Sequence, residues 1–262
     1  MVLSMSIEAL LKELLIELEG SDMLGIFLTG SLARGEANVH SDIDLKILYE
    51  HEPLEIHRYE YRHKRLVSIT SLTQEKINFE FSKSEHAIWA VPGFRQAKIL
   101  HDPFGILEQF KTKALEFDFS KLQTQANFWA SQQLQGWSEE AHRIMGGLEL
   151  HDVERLVAPI WGIGEGMTRI VAVAHGVMIE SENLYFKTVR VHLGLETTWA
   201  KLQMLALGFE SLSLETRAHV ALELYVQTVA LLEPIIQAQH LAVISQTLER
   251  IVAFNTTHDF GE

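Results

Sequence analysis

Residues 27–48 hold the densest chemistry in the chain: Phe-Leu-Thr-Gly-Ser-Leu-Ala-Arg-Gly-Glu-Ala-Asn-Val-His-Ser-Asp-Ile-Asp-Leu-Lys-Ile-Leu. An apolar run closes on Gly30-Ser31, ten residues follow (32–41), and Asp42 and Asp44 then sit inside a second apolar run. Read as a strand, the second run puts Ile43, Leu45 and Ile47 on one face and Asp42, Asp44 and Lys46 on the other. Two carboxylates facing the same way repel each other unless a cation lies between them. A hard divalent ion such as Mg²⁺ takes carboxylate oxygens and fills its remaining positions with water and phosphate. Gly30 lets the backbone come close to a ligand. Ser31 offers a hydroxyl, and the residues after it are expected to open a helix whose free N–H groups favour an anion. A bare Asp-x-Asp is most often the solvated face of a strand. Its distance from Gly-Ser is what points to metal-assisted attack on a nucleotide phosphate.

The elements that must position these residues are legible on either side. Ile7, Leu10, Leu11, Leu14, Leu15 and Leu18 follow helical spacing, and Gly25–Thr29 is a short apolar strand ending at a glycine turn. A strand is expected over Asp42–Tyr49. His57–Tyr61 and Leu66–Leu72 flank a charged turn, Arg62-His63-Lys64-Arg65, and read as a hairpin. A helix follows over Gln74–Trp89, then a last strand, Gln96–Leu100, closed by Asp102-Pro103-Phe104-Gly105. This α+β half, a mixed sheet flanked by helices, is assigned to residues 1–118. From Ser120 the pattern becomes helical, with helices expected near 121–146, 151–179, 184–207 and 214–256. Gly146-Gly147 would separate the first two, and Pro234 would kink or split the last. Residues 119–262 are thus expected to form an all-α bundle domain that binds substrate.

Composition narrows the class. A chain of 262 residues with 47% hydrophobic content supports a substantial core. No run reaches the roughly 18 apolar residues of a membrane span, so no membrane association is expected. The N-terminal segment carries Glu8, Glu13 and Glu17 and lacks the basic start of a secretory signal. There is no cysteine, which excludes disulfides and thiolate metal sites, and the absence of a signal together with a need for ATP makes a cytoplasmic location the expectation. The net charge of −13 argues against a non-specific grip on nucleic acid and is compatible with a cationic small substrate. Thirteen histidines include no pair with convincing zinc spacing on one helix face.

The run Gly30-Ser31-Leu32-Ala33-Arg34-Gly35, followed by Ser41-Asp42-Ile43-Asp44-Leu45, resembles the signature of the nucleotidyltransferase superfamily of the DNA polymerase beta type. Lys98–Gly105 looks like that family's last core strand and its Asp-Pro turn. The order of the two halves is similar to that of the kanamycin and other aminoglycoside nucleotidyltransferases. The resemblance implies Mg²⁺ as cofactor and ATP or another nucleoside triphosphate as substrate. Asp42 and Asp44 would be the metal ligands and catalytic carboxylates, and Gly30, Ser31, Arg34, Ser41 and Lys46 would line the nucleotide site. A surface ion pair with Glu36 is an equal reading for Arg34. Lys46 either binds a phosphate or offsets the aspartates.

The family usually carries a third acidic residue on the strand after Asp-x-Asp. Here that strand is Arg65-Leu66-Val67-Ser68-Ile69-Thr70-Ser71, with Val67 and Ile69 inward, so the acidic position falls on Ser68. Serine is a poor proton acceptor. Glu60 on the hairpin is one substitute. Glu139 and Glu140 are others, because related enzymes take a glutamate from the helical half as base. Arg169 and His175 resemble the Arg…His pair of HEPN-type ribonucleases, though a buried helix is the better reading. The segment Glu182-Asn183-Leu184-Tyr185-Phe186-Lys187 resembles a protease-tag sequence and is treated as native.

The expected function is Mg²⁺-dependent transfer of AMP from ATP to a hydroxyl of a small molecule, with an aminoglycoside-like antibiotic as one such acceptor. The alternatives are an antitoxin-type transferase that adenylylates a protein, and a nucleotide-binding protein with a degenerate site. Related enzymes build their clefts across two subunits, so a homodimer is also compatible.

Overall fold

The computed structural model describes residues 6–18, 20 and 22–257, so the first five residues of the N-terminal segment lie outside the described residues. The chain divides into two compact units, one formed by Met1–Asp118 with Met178–Glu182 and the other by Phe119–Val177 with Asn183–Glu262. The second half of the sequence is therefore interrupted. Five of its residues pack with the first unit.

In the first unit the elements run α1 (Ile7–Leu18), β1 (Met23–Thr29), α2 (Gly30–Arg34), β2 (Ile43–Tyr49), β3 (His57–Arg62), β4 (Arg65–Thr73), α3 (Gln74–Ser82), α4 (Ser84–Gln96), β5 (Lys98–His101) and α5 (Ile106–Leu115). The five strands form one mixed sheet in the order β3-β4-β2-β1-β5. Only β2 and β4 run parallel; the other neighbours are antiparallel. Period-two alternation decides both faces. Ile26 and Leu28 of β1, Ile43, Leu45 and Ile47 of β2, and Val67 and Ile69 of β4 pack with Leu10, Leu11 and Leu14 of α1 in one core. On the opposite face Phe27 meets Phe94 of α4, which also contacts Phe81 of α3 and Phe110 of α5. Gly25 has no room for a side chain there: a Cβ would stand 2.7 Å from Leu107 Cδ1 and 2.9 Å from the His101 carbonyl.

The hairpin β3–β4 turns through His63 and Lys64, both at positive φ. The helix expected over Gln74–Trp89 is two helices. Lys83 adopts an extended backbone (φ −110°, ψ 122°) between α3 and α4, and α4 continues to Gln96 through Pro92. Ser82 caps nothing forward and instead donates to the Phe79 carbonyl at 2.8 Å, a local bond that competes with helix propagation.

The second unit contains α6 (Gln123–Glu149), α7 (Val157–Ala174), α8 (Tyr185–Leu193), α9 (Thr198–Ala206), α10 (Leu214–Leu232) and α11 (Ala238–Thr257). Gly146-Gly147 does not break α6. Gly147 is small because Leu156 fills the space, with Leu156 Cδ2 2.6 Å from where a Cβ would lie. The pattern read as a single helix over 184–207 is two, because Gly194 leaves the helix at φ 95°. Pro234 separates α10 from α11, as its missing N–H and ring require. The segment Val153–Ala174, which includes α7, has the length and hydropathy of a membrane span by composition alone, yet 67% of its most apolar window is buried. Its small residues explain this: Gly162 and Gly166 receive the Trp137 ring of α6, and Gly164 receives Leu207.

Several buried polar side chains inside this unit are hydrogen-bonded. Tyr225 donates to the Leu134 carbonyl at 3.1 Å and lies 3.0 Å from the Ser138 hydroxyl. The Trp199 indole donates to Thr228 at 2.8 Å.

Leu45 is 1% exposed and sits between Asp44 and Lys46 on the strand that joins the α1 core to the polar face. Leu45→Ala is expected to cost about 2–5 kcal/mol, read as a lower urea midpoint at unchanged slope.

Candidate active site

The sheet register brings the motif residues together. Across the face opposite α1, Thr29 of β1 pairs with Asp44 of β2, which pairs with Ser68 of β4, which pairs with Tyr59 of β3. The next row on that face is Phe27, Lys46, Thr70 and His57. The carboxylate and the ammonium therefore project from one surface, beside the two hydroxyls of β4. Val67 and Ile69 face the core, as alternation requires, and Ser68 stands directly beside Asp44. Asp42 lies one residue before β2, at the mouth of the same edge.

β1 ends in this neighbourhood. Gly30 has φ 69°, a region L-residues avoid, and a Cβ there would collide with the Asp44 carboxylate. Glycine is thus demanded twice, by the backbone turn and by the close approach of the aspartate. The helix expected after Ser31 is a single short turn, α2, which Gly35 ends at φ 75°. Thr29 provides no side-chain cap to it.

Other expected nucleotide residues are engaged within the protein. The Ser41 hydroxyl accepts the Asn38 N–H at 2.9 Å, and its carbonyl accepts from Arg65 Nη1 at 3.3 Å. This bonding shapes the loop that delivers Asp42. Arg34 Nε donates to Glu36 at 2.7 Å, while Nη1 donates to the Glu180 carbonyl at 3.2 Å and Nη2 to the Ser181 hydroxyl at 3.4 Å. Arg34 is therefore a clamp on the segment Met178–Glu182, which is also held by the Ile179 N–H bonded to the Ile88 carbonyl at 2.8 Å.

That clamp places an acid which sequence reading passed over. The Glu182 charge acts on both Asp44 and Lys46, opposing ionisation of the aspartate and favouring that of the lysine. Nothing local in the sequence links Glu182 to Asp44; the only signal is the gap in helical pattern near 180–183. Glu60 does not serve this face. It pairs with Val67 on the α1 side and bonds Arg62 at 3.0 Å. Glu139 and Glu140 lie on α6 in the helical unit, both bonded to Arg143. Arg169 and His175 each have their own partner: Arg169 lies over the Trp129 ring at 5.6 Å, and the His175 and His192 rings meet at 3.3 Å. Among the described residues no hydrogen bond joins the two side chains.

Burial pushes the Asp44 carboxyl above the ordinary aspartate range, and Asp42 pushes it further; Lys46 opposes the rise. Burial likewise lowers the Lys46 ammonium, against the pull of Asp44, Glu182 and Glu80. Glu80 is itself tied to Lys76 at 2.9 Å and to His86 at 2.7 Å. Among the described residues no group of three or more His, Asp or Glu side chains is placed to hold a metal. The donor set is two hard carboxylates that repel each other on a half-buried face. This fits a Mg²⁺-like ion that keeps several ligand positions for water and phosphate, rather than an all-protein cage.

A raised carboxyl pKa means that the folded chain holds this proton more tightly than the unfolded chain. The stability gained from neutral Asp44 is complete below the ordinary aspartate value of 3.8 and is lost as pH rises through the folded value. Asp44→Asn keeps the side chain neutral at every pH. In EDTA at neutral pH it is expected to melt above the unaltered protein, with the gap closing on acidification below pH 3.8. A variant that melts lower at neutral pH would show that the Asp44 charge is stabilised by the fold.

Residues 9–91 match the family model of the nucleotidyltransferase domain. No curated protein matches the chain. Its fold is similar to the crystal structure of a nucleotidyltransferase-like protein from Exiguobacterium sibiricum, with a TM-score of 0.51 and 14% identity over 90% of this chain and 86% of that one. Strands β1 to β4, the Gly-Ser turn and the paired aspartates lie within the matched span, so residues 9–91 are similar to a nucleotidyltransferase domain.

Proposed function

We propose that the protein transfers AMP from ATP to a hydroxyl of a small acceptor, and that Asp42 and Asp44 hold the Mg²⁺ this requires. The observation that carries the reading is the row Thr29–Asp44–Ser68 beside the Gly30 turn, which joins a constrained backbone to a carboxylate that is costly to ionise without a cation. Asp42 and Asp44 would hold Mg²⁺, and the charge it would supply there offsets that of the phosphates. Gly30 and Ser31 are assigned to the β- and γ-phosphates. The Lys46 ammonium, on the same face, offsets the negative charge of the two aspartates and of the nucleotide. The acceptor oxygen bonds to the α-phosphorus as the bond to pyrophosphate breaks, and the acceptor's proton needs a base.

Ser68 cannot take that proton usefully. We assign the role to Glu182, which the Arg34 clamp holds in the same compact unit as Asp44. Glu139 and Glu140 are the rival bases. The acidic balance of the chain favours a cationic acceptor such as an aminoglycoside.

The test is mass spectrometry of a panel of aminoglycosides, lincosamides and other hydroxylated metabolites incubated with Mg-ATP. A gain of one AMP on a panel member, lost in Asp44→Asn, is the expected result. Glu182→Gln should lower kcat by about 10²–10⁴ and remove the acid limb of the pH profile. An unchanged profile in that variant, with loss in Glu140→Gln instead, would move the base to the helical unit. ATP binding with no transfer to any acceptor, protein included, would favour a second reading that Ser68 supports: a nucleotide-binding protein whose active site is retired.

A further inference from the structure

The helical unit contains a cation that the proposed transfer does not use. Arg190 of α8 is 6% exposed. Its Nη1 donates to Gln203 Oε1 at 2.7 Å, and Gln203 in turn donates to the Thr168 hydroxyl at 2.8 Å. These partners are neutral. Its Nε is buried with no acceptor. Burial shifts the guanidinium downward from the ordinary arginine value, and among the described residues no ion pair to it is formed. In a chain where 35 acidic residues outnumber 22 basic ones, a buried arginine without an acid is unexpected.

A second arginine lies at the same turn. Gly208 follows α9 at φ 84°, and the Arg217 guanidinium of α10 covers it, with Nη1 3.0 Å from where a Cβ would lie. Arg217 Nε is also buried with no acceptor. The adjacent residue, Phe209, carries its ring 5.1 Å from the Arg190 guanidinium carbon and is itself 58% exposed. Two guanidinium groups thus approach the Gly208–Phe209 turn, each keeping a buried N–H donor unfilled. The planar fork of a guanidinium matches phosphate and carboxylate oxygens, and a buried charge is stable when such a partner fills its donors.

We propose that the α9–α10 turn, with Arg190 and Arg217, binds an oxyanion of a small ligand, either a phosphate or a carboxylate group. A purely structural role would leave Arg190 stacked on Phe209 and bonded to Gln203; the two unfilled Nε donors are what that role does not explain. The site belongs to the helical unit alone and does not depend on the transfer reaction.

The experiment follows thermal unfolding in EDTA while inorganic phosphate or succinate replaces chloride at constant ionic strength. The two anions separate a phosphate from a carboxylate ligand. A midpoint that rises with one of them in the unaltered protein is expected. Arg217→Gln, half-exposed and tolerable to the fold, should weaken the response roughly tenfold or more, the loss of one charge-assisted bond. Arg190→Gln should abolish it. Asp44→Asn should leave it unchanged. No rise above chloride with either anion, an equal rise in Arg217→Gln, or loss of the rise in Asp44→Asn would each overturn the assignment. The last outcome would place the anion in the first unit.

Discussion

Strand β2 must satisfy two environments within seven residues, and the first unit is organised around that demand. One face carries Ile43, Leu45 and Ile47 into a dry core under α1; the other carries Asp44 and Lys46, which need polar company. Alternation makes this possible only if the strand is central and its register fixed, since a slip of one residue would bury the aspartate in the core. The parallel partner β4 and the antiparallel partner β1 supply that register. They also decide which side chains neighbour Asp44: Thr29 and Ser68, neither of which is charged. The two cross-strand neighbours of Asp44 are therefore hydroxyl side chains.

This has an electrostatic consequence. Asp44 is half-buried, repelled by Asp42, and relieved in part by Lys46. Such a face carries an electrostatic cost that neutral or cationic company lowers. The Gly30 turn belongs to the same arrangement, because it lets the β1 backbone approach a carboxylate that a side chain would displace.

The segment Met178–Glu182 shows how far from the motif the site's surroundings are drawn. It lies between α7 and α8 in sequence, yet Arg34 and Ile88 bind it to the first unit. Arg34 thus has a structural task, holding the segment that carries Glu182, and also makes the ion pair with Glu36 that sequence alone left as an equal alternative to a nucleotide contact. The helical unit follows a different rule. Its tight helix contacts come from glycines under Trp137 and Leu207, and several of its buried polar side chains, Trp199 and Tyr225 among them, are hydrogen-bonded.

Spacing and alternation within one segment were enough to identify the Gly30-Ser31 and Asp42/Asp44 pair, the inward Val67 and Ile69, the neutral Ser68 and the change to helices after residue 118. These are short-range properties: the side-chain period of a strand and the conformational limits of glycine and proline act between residues that are neighbours in sequence. The break at Lys83, the continuity of α6 through Gly146-Gly147 and the split at Gly194 escaped, because a glycine reads alike whether it ends a helix or admits a neighbour's side chain. The partners of Arg34, the side of the sheet that Glu60 occupies, and the presence of Glu182 near Asp44 were decided only by tertiary structure. Hydrogen bonds and charge interactions fall off within ångströms, so residues far apart in sequence acquire a joint chemistry only once the fold has set them side by side.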